Sequence, residues 1–117
     1  MAGQVGYHAG LEAERSVARY YLRQGYEFAA HRYRATSGEI DLIMRQGPSV
    51  VFVEVKQSRS HQRAAERVLS TQMERIYSSA TEFLANEPDG QDTPARFDVA
   101  LVDGQGKVAI LENAFAG

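Results

Sequence analysis

The stretch Val50-Val51-Phe52-Val53-Glu54-Val55-Lys56 constrains the fold of this chain more than any other. Its five apolar residues are interrupted only by Glu54, the pattern of a strand covered on both faces. A carboxylate and an ammonium in such a strand must be paired, metal-bound or shifted in pKa, because an isolated buried charge is too costly to keep. Strand side chains alternate between faces, so Glu54 and Lys56 share the side of Phe52, opposite Val51, Val53 and Val55. Just upstream, Gly38-Glu39-Ile40-Asp41-Leu42-Ile43 reads as a second strand. By the same period Glu39, Asp41 and Ile43 share one face of it, with Ile40 and Leu42 opposite. Pairing through the turn Gln46-Gly47-Pro48 brings Asp41 near Glu54, whereas a slip of one residue turns Asp41 to the wrong face.

Two carboxylates on neighbouring strands suit a hard divalent cation, Mg2+ or Mn2+, which takes oxygen ligands and keeps waters for substrate and nucleophile. A lysine beside them can orient or help deprotonate the attacking water, or stabilise charge developing on a phosphate. The alternative is a solvated salt-bridge ladder of Asp41, Glu54 and Lys56 on an ordinary antiparallel hairpin. The apolar surroundings and the second acid favour the functional reading, since perturbed charged groups gather at sites.

Along the rest of the chain, Leu11, Val17, Ala18, Tyr21 and Leu22 recur at helical spacing from about Gly10, with Gly25 as stop signal. Tyr26 to Arg34 is strand-like, and Ala35-Thr36-Ser37-Gly38 turns into the next strand. After Lys56, the polar and basic run from Gln57 to Arg63 reads as a loop. Thr71 with Glu74 fits a capping box for a second helix, whose apolar face is Met73, Ile76, Tyr77, Ala80, Phe83 and Leu84. Asn86 to Pro94 is a linker, and Phe97–Val102 and Val108–Leu111 flank the turn Asp103-Gly104-Gln105-Gly106 as two short strands. The order is one helix, three strands, one helix, two strands, which predicts an α/β sandwich around a mixed central sheet of about five strands. With 117 residues the chain holds one core, so residues 1–117 are expected to form a single domain.

The blocks Gly38-Glu39-Ile40-Asp41-Leu42-Ile43, Phe52-Val53-Glu54-Val55-Lys56, Arg96-Phe97-Asp98-Val99 and Glu112-Asn113-Ala114-Phe115 resemble the YraN family of bacterial proteins over nearly the whole chain. The resemblance implies a restriction-endonuclease-like fold of the PD-(D/E)xK superfamily, similar to archaeal Holliday junction resolvases. It implies that Asp41 and Glu54 are the motif acids that bind Mg2+ or Mn2+ and that Lys56 serves the hydrolytic step. The proline that names the motif is absent, Ile40 standing before Asp41. The resemblance also implies a helical glutamate as third ligand. It favours Glu14, ahead of Val17-Ala18, with Glu12 left open by a spacing one residue longer than usual. Either acid would equally be favoured near a helix start by the dipole alone.

Other candidates are more open. Glu39 shares a face with Asp41 and is either an accessory ligand or a partner of Arg34 or Arg45. Gln72, at the start of the second helix, is either a polar group near a scissile phosphate or an exposed helical side chain. Arg32, Arg34, Arg45, Arg59, Arg63, Arg67 and Arg75 flank the motif, and Arg34, Arg45, Arg59 and Arg63 are the candidates for a rim that contacts a nucleic-acid backbone. His8, His31 and His61 show no metal-ligand spacing; His61 lies in the basic run, and the others read as structural. Asp98 reads as a strand-end residue or a partner of Arg96 rather than a ligand.

Charge and composition bear on partners. The net charge of −2 counts against a nucleic-acid binder. However, residues 1–75 hold 11 Lys and Arg against 8 Asp and Glu, while residues 76–117 hold 2 against 7, so the basic excess travels with the motif. No cysteine is present, which excludes disulfides and thiolate metal sites and fits a reducing compartment. With no apolar run of spanning length and no leader pattern at Met1, a cytoplasmic protein is expected. The function expected is a metal-dependent endonuclease acting on DNA, branched DNA included. The alternative is a non-catalytic nucleic-acid-binding or protein-interaction module that keeps the nuclease fold, and RNA is a further possible substrate. Resolvase-like folds often act as dimers, so a homodimer is a reasonable expectation, although no segment identifies an interface.

Overall fold

The computed structural model describes the backbone of residues 2–57 and 70–114, with side chains described for residues 10–57 and 73–114. β1 (Glu27–Arg34), β2 (Glu39–Gln46) and β3 (Ser49–Gln57) form an antiparallel meander. β4 (Ala95–Val102) lies parallel to β3, and β5 (Val108–Leu111) returns antiparallel to β4. The sheet is therefore mixed and five-stranded in the order β1-β2-β3-β4-β5, consistent with a restriction-endonuclease-like fold. α1 (Ala2–Arg23) precedes the meander, and α2 (Ser70–Leu84) lies in the connection between the two parallel strands, which need such a crossover.

The apolar run of β3 is explained by the two helices. Ala13, Val17 and Tyr21 of α1 bury Leu42, Met44, Val51, Val53, Ala100 and Val102 on one face of the sheet. Ala80 and Leu84 of α2 bury Ile40, Ile43, Val50 and Phe52 on the other, and Ile76 packs with Val99 and Leu101. The Phe83 ring meets Phe52 and Tyr33 edge-on, while Phe97 stacks on Phe52. Val51 and Val53 thus face α1, whereas Phe52 faces α2, as alternation requires.

Five local expectations are corrected. α1 begins at Ala2 and not near Gly10, because Gly3, Gly6 and Gly10 weaken the helical signal of a segment that the helix nevertheless continues through. Leu22 is exposed and leaves the apolar face to Val17 and Tyr21. Thr71 is already helical, so Thr71 and Glu74 do not frame the start of α2. The linker contains a short 3-10 turn at Gly90–Asp92. Gln57 is the last residue of β3 and not a loop residue; the remainder of the expected basic loop, 58–63, lies outside the described residues.

The end of α1 follows its stop signal. The Gly25 amide donates to Leu22 O and the Tyr26 amide to Tyr21 O, with Gly25 at φ 91°, which is a Schellman closure. At the β2–β3 hairpin, Gln46 pairs with Ser49 and Gly47 holds φ 57°. A two-residue loop that follows the twist of its strands needs this left-handed value at its first position. Gly47→Ala is expected to lower stability by about 1 kcal/mol, since nothing lies near its Cβ position and the cost is conformational alone. A chemical denaturation midpoint unchanged from wild type would refute that account.

Candidate functional site

The β2–β3 ladder stops where the two acids begin. Its last pair toward the site is Leu42 with Val53, so the next position would set Asp41 against Glu54. Side chains take over from the backbone there. The Val55 amide donates to Asp41 Oδ2 at 2.8 Å, and the Asp41 amide donates to Glu54 Oε1 at 3.4 Å. These bonds occupy backbone donors that would otherwise belong to the ladder, so the splayed strands leave few orphaned groups. Alternation fails at the same point. Ile40 packs in the α2 cluster together with Ile43 and not with Leu42, contrary to the regular period expected for this strand. The register itself is the one that brings Asp41 beside Glu54.

Opposite Asp41 on the other side of β2, Arg32 is left-handed at φ 51° and interrupts the β1–β2 pairs, which run His31–Leu42 and then Tyr33–Ile40. Such a backbone costs a non-glycine residue about 1–2 kcal/mol and is held only by its surroundings. Here the holding group is Glu14. Arg32 donates from Nε to Glu14 Oε1 at 2.9 Å and from Nη2 to Oε2 at 3.4 Å, and His31 Nε2 lies 2.5 Å from Oε1. Glu14 is buried on α1 and its charge helps to raise the pKa of Asp41, so the helix delivers it to the site. Glu12, by contrast, is exposed and pairs with Arg15 at 3.4 Å, so of the two acids Glu14 is the one whose charge reaches Asp41.

The electrostatics are those of crowded acids. Burial pushes Asp41 up to about 6; the hydrogen bond from the Val55 amide opposes this, Glu14 adds to it and Lys56 lowers it. Burial pushes Glu54 up to about 8, reinforced by the Asp41 charge and opposed by Lys56. The two carboxylates thus resist joint ionisation, as like charges sharing one site do. Lys56, half-buried on the face of Glu54, is the cation that both acids feel. Glu54 also lines a cleft of about 170 Å³ against α2, together with Ser37, Gly38, Glu39, Arg75 and Ile76.

This donor set fits a hard divalent cation. Two adjoining carboxylates with surplus negative charge match the one or two acids that magnesium uses while it retains waters. Among the described residues no group of three or more His, Cys, Asp or Glu is gathered closely enough to hold an ion unaided. Asp41 and Glu54 would therefore be the ligands, with Glu14 held to one side by His31 and Arg32.

The remaining candidates separate. Glu39 lies 3.7 Å from exposed Arg34 and shares the Glu54 cleft. Arg45 does not belong to a rim around the acids: it is four residues from Asp41 toward the far end of the hairpin, roughly 13 Å along the strand, where Glu87 holds it in an ion pair. Arg59, Arg63, Arg67 and His61, and the side chain of Gln72, lie outside the described residues. His31 and Arg32 are the site residues that sequence reasoning missed in their true role. The only hint was their adjacency, one on each side of a break in alternation that the sequence does not reveal.

Asp98 is excluded from the acid pair by register. It pairs with Val53 while Glu54 pairs with Val99, which turns Asp98 to the α1 face. There it is fully buried and accepts from Tyr21 Oη at 2.6 Å, Arg96 Nε at 2.9 Å, Arg96 Nη2 at 3.1 Å and the Asn113 amide at 3.0 Å. Burial and Asp98 together hold the Tyr21 phenol far above its usual range, so it remains a donor. Arg96 also donates to Tyr26 Oη at 2.9 Å, while the Asn113 amide joins the fourth sequence block to the third. Asp98 is thus the partner of Arg96, as expected.

Comparison with known proteins agrees with the resemblance. Residues 13–102 match the family described as uncharacterised protein family UPF0102. A UPF0102 protein of Cereibacter sphaeroides (strain KD131) is 60% identical over 116 residues, 99% of each chain. A UPF0102 protein of Ruegeria pomeroyi is 58% identical over 113 residues, covering 97% of this chain and 92% of its own. A third, from Roseobacter denitrificans, is 56% identical over 115 residues, covering 98% of this chain and 89% of its own. No helix of the described residues is long and apolar enough to cross a membrane. On family match and relatives alike, this chain belongs to the UPF0102 (YraN) family.

Proposed function

We propose that the protein is a metal-dependent nuclease of the PD-(D/E)xK type that hydrolyses DNA phosphodiester bonds, with branched DNA among its substrates. The observation that carries this reading is the interruption of the β2–β3 ladder at Asp41 and Glu54, two adjoining acids whose ionisation is opposed by burial and by each other. A solvated salt-bridge ladder would keep its backbone pairing and would need no pKa displacement. The surplus of negative charge asks for a cation beyond Lys56, and Mg2+ or Mn2+ supplies Lewis acidity toward a phosphoryl oxygen when bound.

The chain's own groups have separate roles. Asp41 and Glu54 hold the ion, and the Val55 amide orients the Asp41 carboxylate. Lys56, on the Glu54 side, orients the attacking water or stabilises charge on the phosphate. Glu14, fixed by Arg32 and His31, adds negative charge beside Asp41. Arg75 faces the Glu54 cleft and has no carboxylate partner among the described residues, so it is placed to receive a phosphate.

The test is a cleavage assay on duplex, single-stranded, flap and four-way DNA with Mg2+ or Mn2+, run beside Glu54→Ala. Metal-dependent cleavage by wild type that is lost in the variant, with DNA binding intact, is the expected result. No cleavage of any substrate, or equal cleavage by both proteins, would favour a non-catalytic module that keeps the fold. Including RNA substrates decides which nucleic acid is cut.

A further inference from the structure

A groove of about 390 Å³ lies between α1 and the β4–β5 turn, away from the acid pair, lined by Ser16, Arg19, Tyr20, Arg23, Gly106 and Lys107. Its walls carry three cations and no carboxylate. That composition is unusual in a chain of net charge −2. Of the other described arginines, only Arg75 at the acid cleft also lacks a carboxylate partner. Arg15, Arg32, Arg34, Arg45 and Arg96 each have a carboxylate partner. Among the described residues Arg19 and Arg23 have none, and Arg19 donates instead to the Ser16 hydroxyl at 3.2 Å. At i and i+4 on one helix they repel each other, a small cost that a solvated ion-pair face would avoid. The turn beside them is held by side-chain hydrogen bonds. Asp103 Oδ1 accepts from the Gln105 and Lys107 amides, and Gly106 at φ 82° closes the loop that presents Lys107.

We infer that this groove binds the phosphate backbone of a nucleic acid and extends the contact of the substrate beyond the acid site. The inference rests on the proposed nuclease reading for the identity of the polyanion. Both sites border α1, since Glu14 reaches toward Asp41 from it and Arg19 and Arg23 line the groove. The two arginines follow Glu14 by roughly 7.5 and 13.5 Å along the helix axis and lie about 140° and 180° around it, so a nucleic acid in contact with both sites would cross α1. Tyr20 and Val108 also line the groove, but its surface is predominantly polar, so backbone charge is the feature recognised. Arginines with no carboxylate partner among the described residues suit that task, since phosphate contacts come chiefly from Arg and Lys and carry no base specificity.

The experiment measures binding apart from cleavage. Fluorescence anisotropy with labelled duplex and four-way DNA, in EDTA and at several salt concentrations, compares wild type with Arg19→Ala/Arg23→Ala and with Arg19→Lys/Arg23→Lys. The alanine pair is expected to weaken binding about tenfold and to make the dependence of log K on log[salt] shallower by roughly 1–2, two contacts at about 0.9 each. The lysine pair is expected to keep most of the affinity. Both arginines are exposed, so thermal melting should be unchanged and will separate lost binding from lost folding. Equal affinity and equal salt slope in the alanine pair would overturn the groove, and if wild type still cleaves DNA the nuclease reading stands without it. Groove-dependent binding by a wild type that cuts nothing would sink the nuclease reading and leave the groove. Binding of an acidic polypeptide such as polyglutamate as tightly as DNA, or no DNA binding at all, also overturns the inference.

Discussion

Asp98→Ala is expected to cost about 3–5 kcal/mol of folding stability, enough to unfold a large share of a domain this size. Four donor contacts converge on its carboxylate, from Tyr21, from Arg96 twice and from the Asn113 amide. Removing the acceptor leaves a buried phenol without a partner and the Arg96 guanidinium without its main counter-charge, and each orphaned group carries its full desolvation cost. Arg96 retains Tyr26 and a distant contact with Glu112 at 3.8 Å, which limits the loss. Asp98→Asn, whose one amide oxygen can accept either from Tyr21 or from the Asn113 amide but not from both, should recover a small part of it. Urea denaturation followed by circular dichroism measures both variants. A loss below about 1 kcal/mol for alanine would mean that the network is only packing and not a tie between α1, β4 and the residues after β5.

The second large effect pairs lost activity with gained stability. Glu54→Gln is expected to reduce metal-dependent cleavage by roughly 10³-fold, on the scale of removing a group that stabilises charge in the reaction. The same change should make the metal-free protein more stable at alkaline pH. Glu54 and Asp41 are raised in the folded state, to about 8 and about 6, above the ordinary carboxylate range near 4. Between roughly pH 4 and 8 the folded protein therefore holds more protons than the unfolded chain, and stability falls as pH rises through that window. It stays at the lower level above pH 8. Glutamine removes the Glu54 contribution and relieves Asp41. Relative to wild type the gain at pH 9 is ~1–2 kcal/mol once solvent screening at these half-buried positions is allowed for. Mg2+ should stabilise wild type more at pH 9 than at pH 5, because it replaces the missing counter-charge, and should stabilise the glutamine variant less. Melting curves at pH 5, 7 and 9 with and without Mg2+ test each part. A wild type that grows more stable between pH 5 and 9 without metal would contradict the electrostatic account of the site.

Much of this was legible because it depends on period and composition. The run from Val50 to Lys56 contains enough apolar surface to demand cover on both faces, and that demand places β3 inside the sheet with a helix on either side. The same run makes Glu54 and Lys56 conspicuous, since charge in such a strand needs a reason. Gly25 and Gly47 marked a helix end and a turn through conformations that other residues resist. Two local signals failed for local reasons. The glycines before Leu11 masked the first turns of α1, and Thr71 imitated a cap from inside α2.

What no period or composition could decide is how distant segments meet. The regular alternation expected of β2 places Ile40 on the wrong side, because strand splaying at Asp41 is caused by side-chain carboxylates taking backbone hydrogen bonds across from β3. Glu14 and Glu12 look alike in sequence, and only the rotation of α1 against the sheet buries one between His31 and Arg32 while leaving the other in solvent with Arg15. Arg45 sits close to the motif in the chain yet is carried to the opposite end of the hairpin and neutralised by Glu87. Arg19, Arg23 and Lys107 come from segments more than 80 residues apart in part and are gathered only by the packing of α1 beside the β4–β5 turn. Local residue patterns thus determine elements and their buried faces, since those depend on neighbours along the chain. Which charges share a site depends on register, helix rotation and the order of strands, and these arise only when the whole core closes.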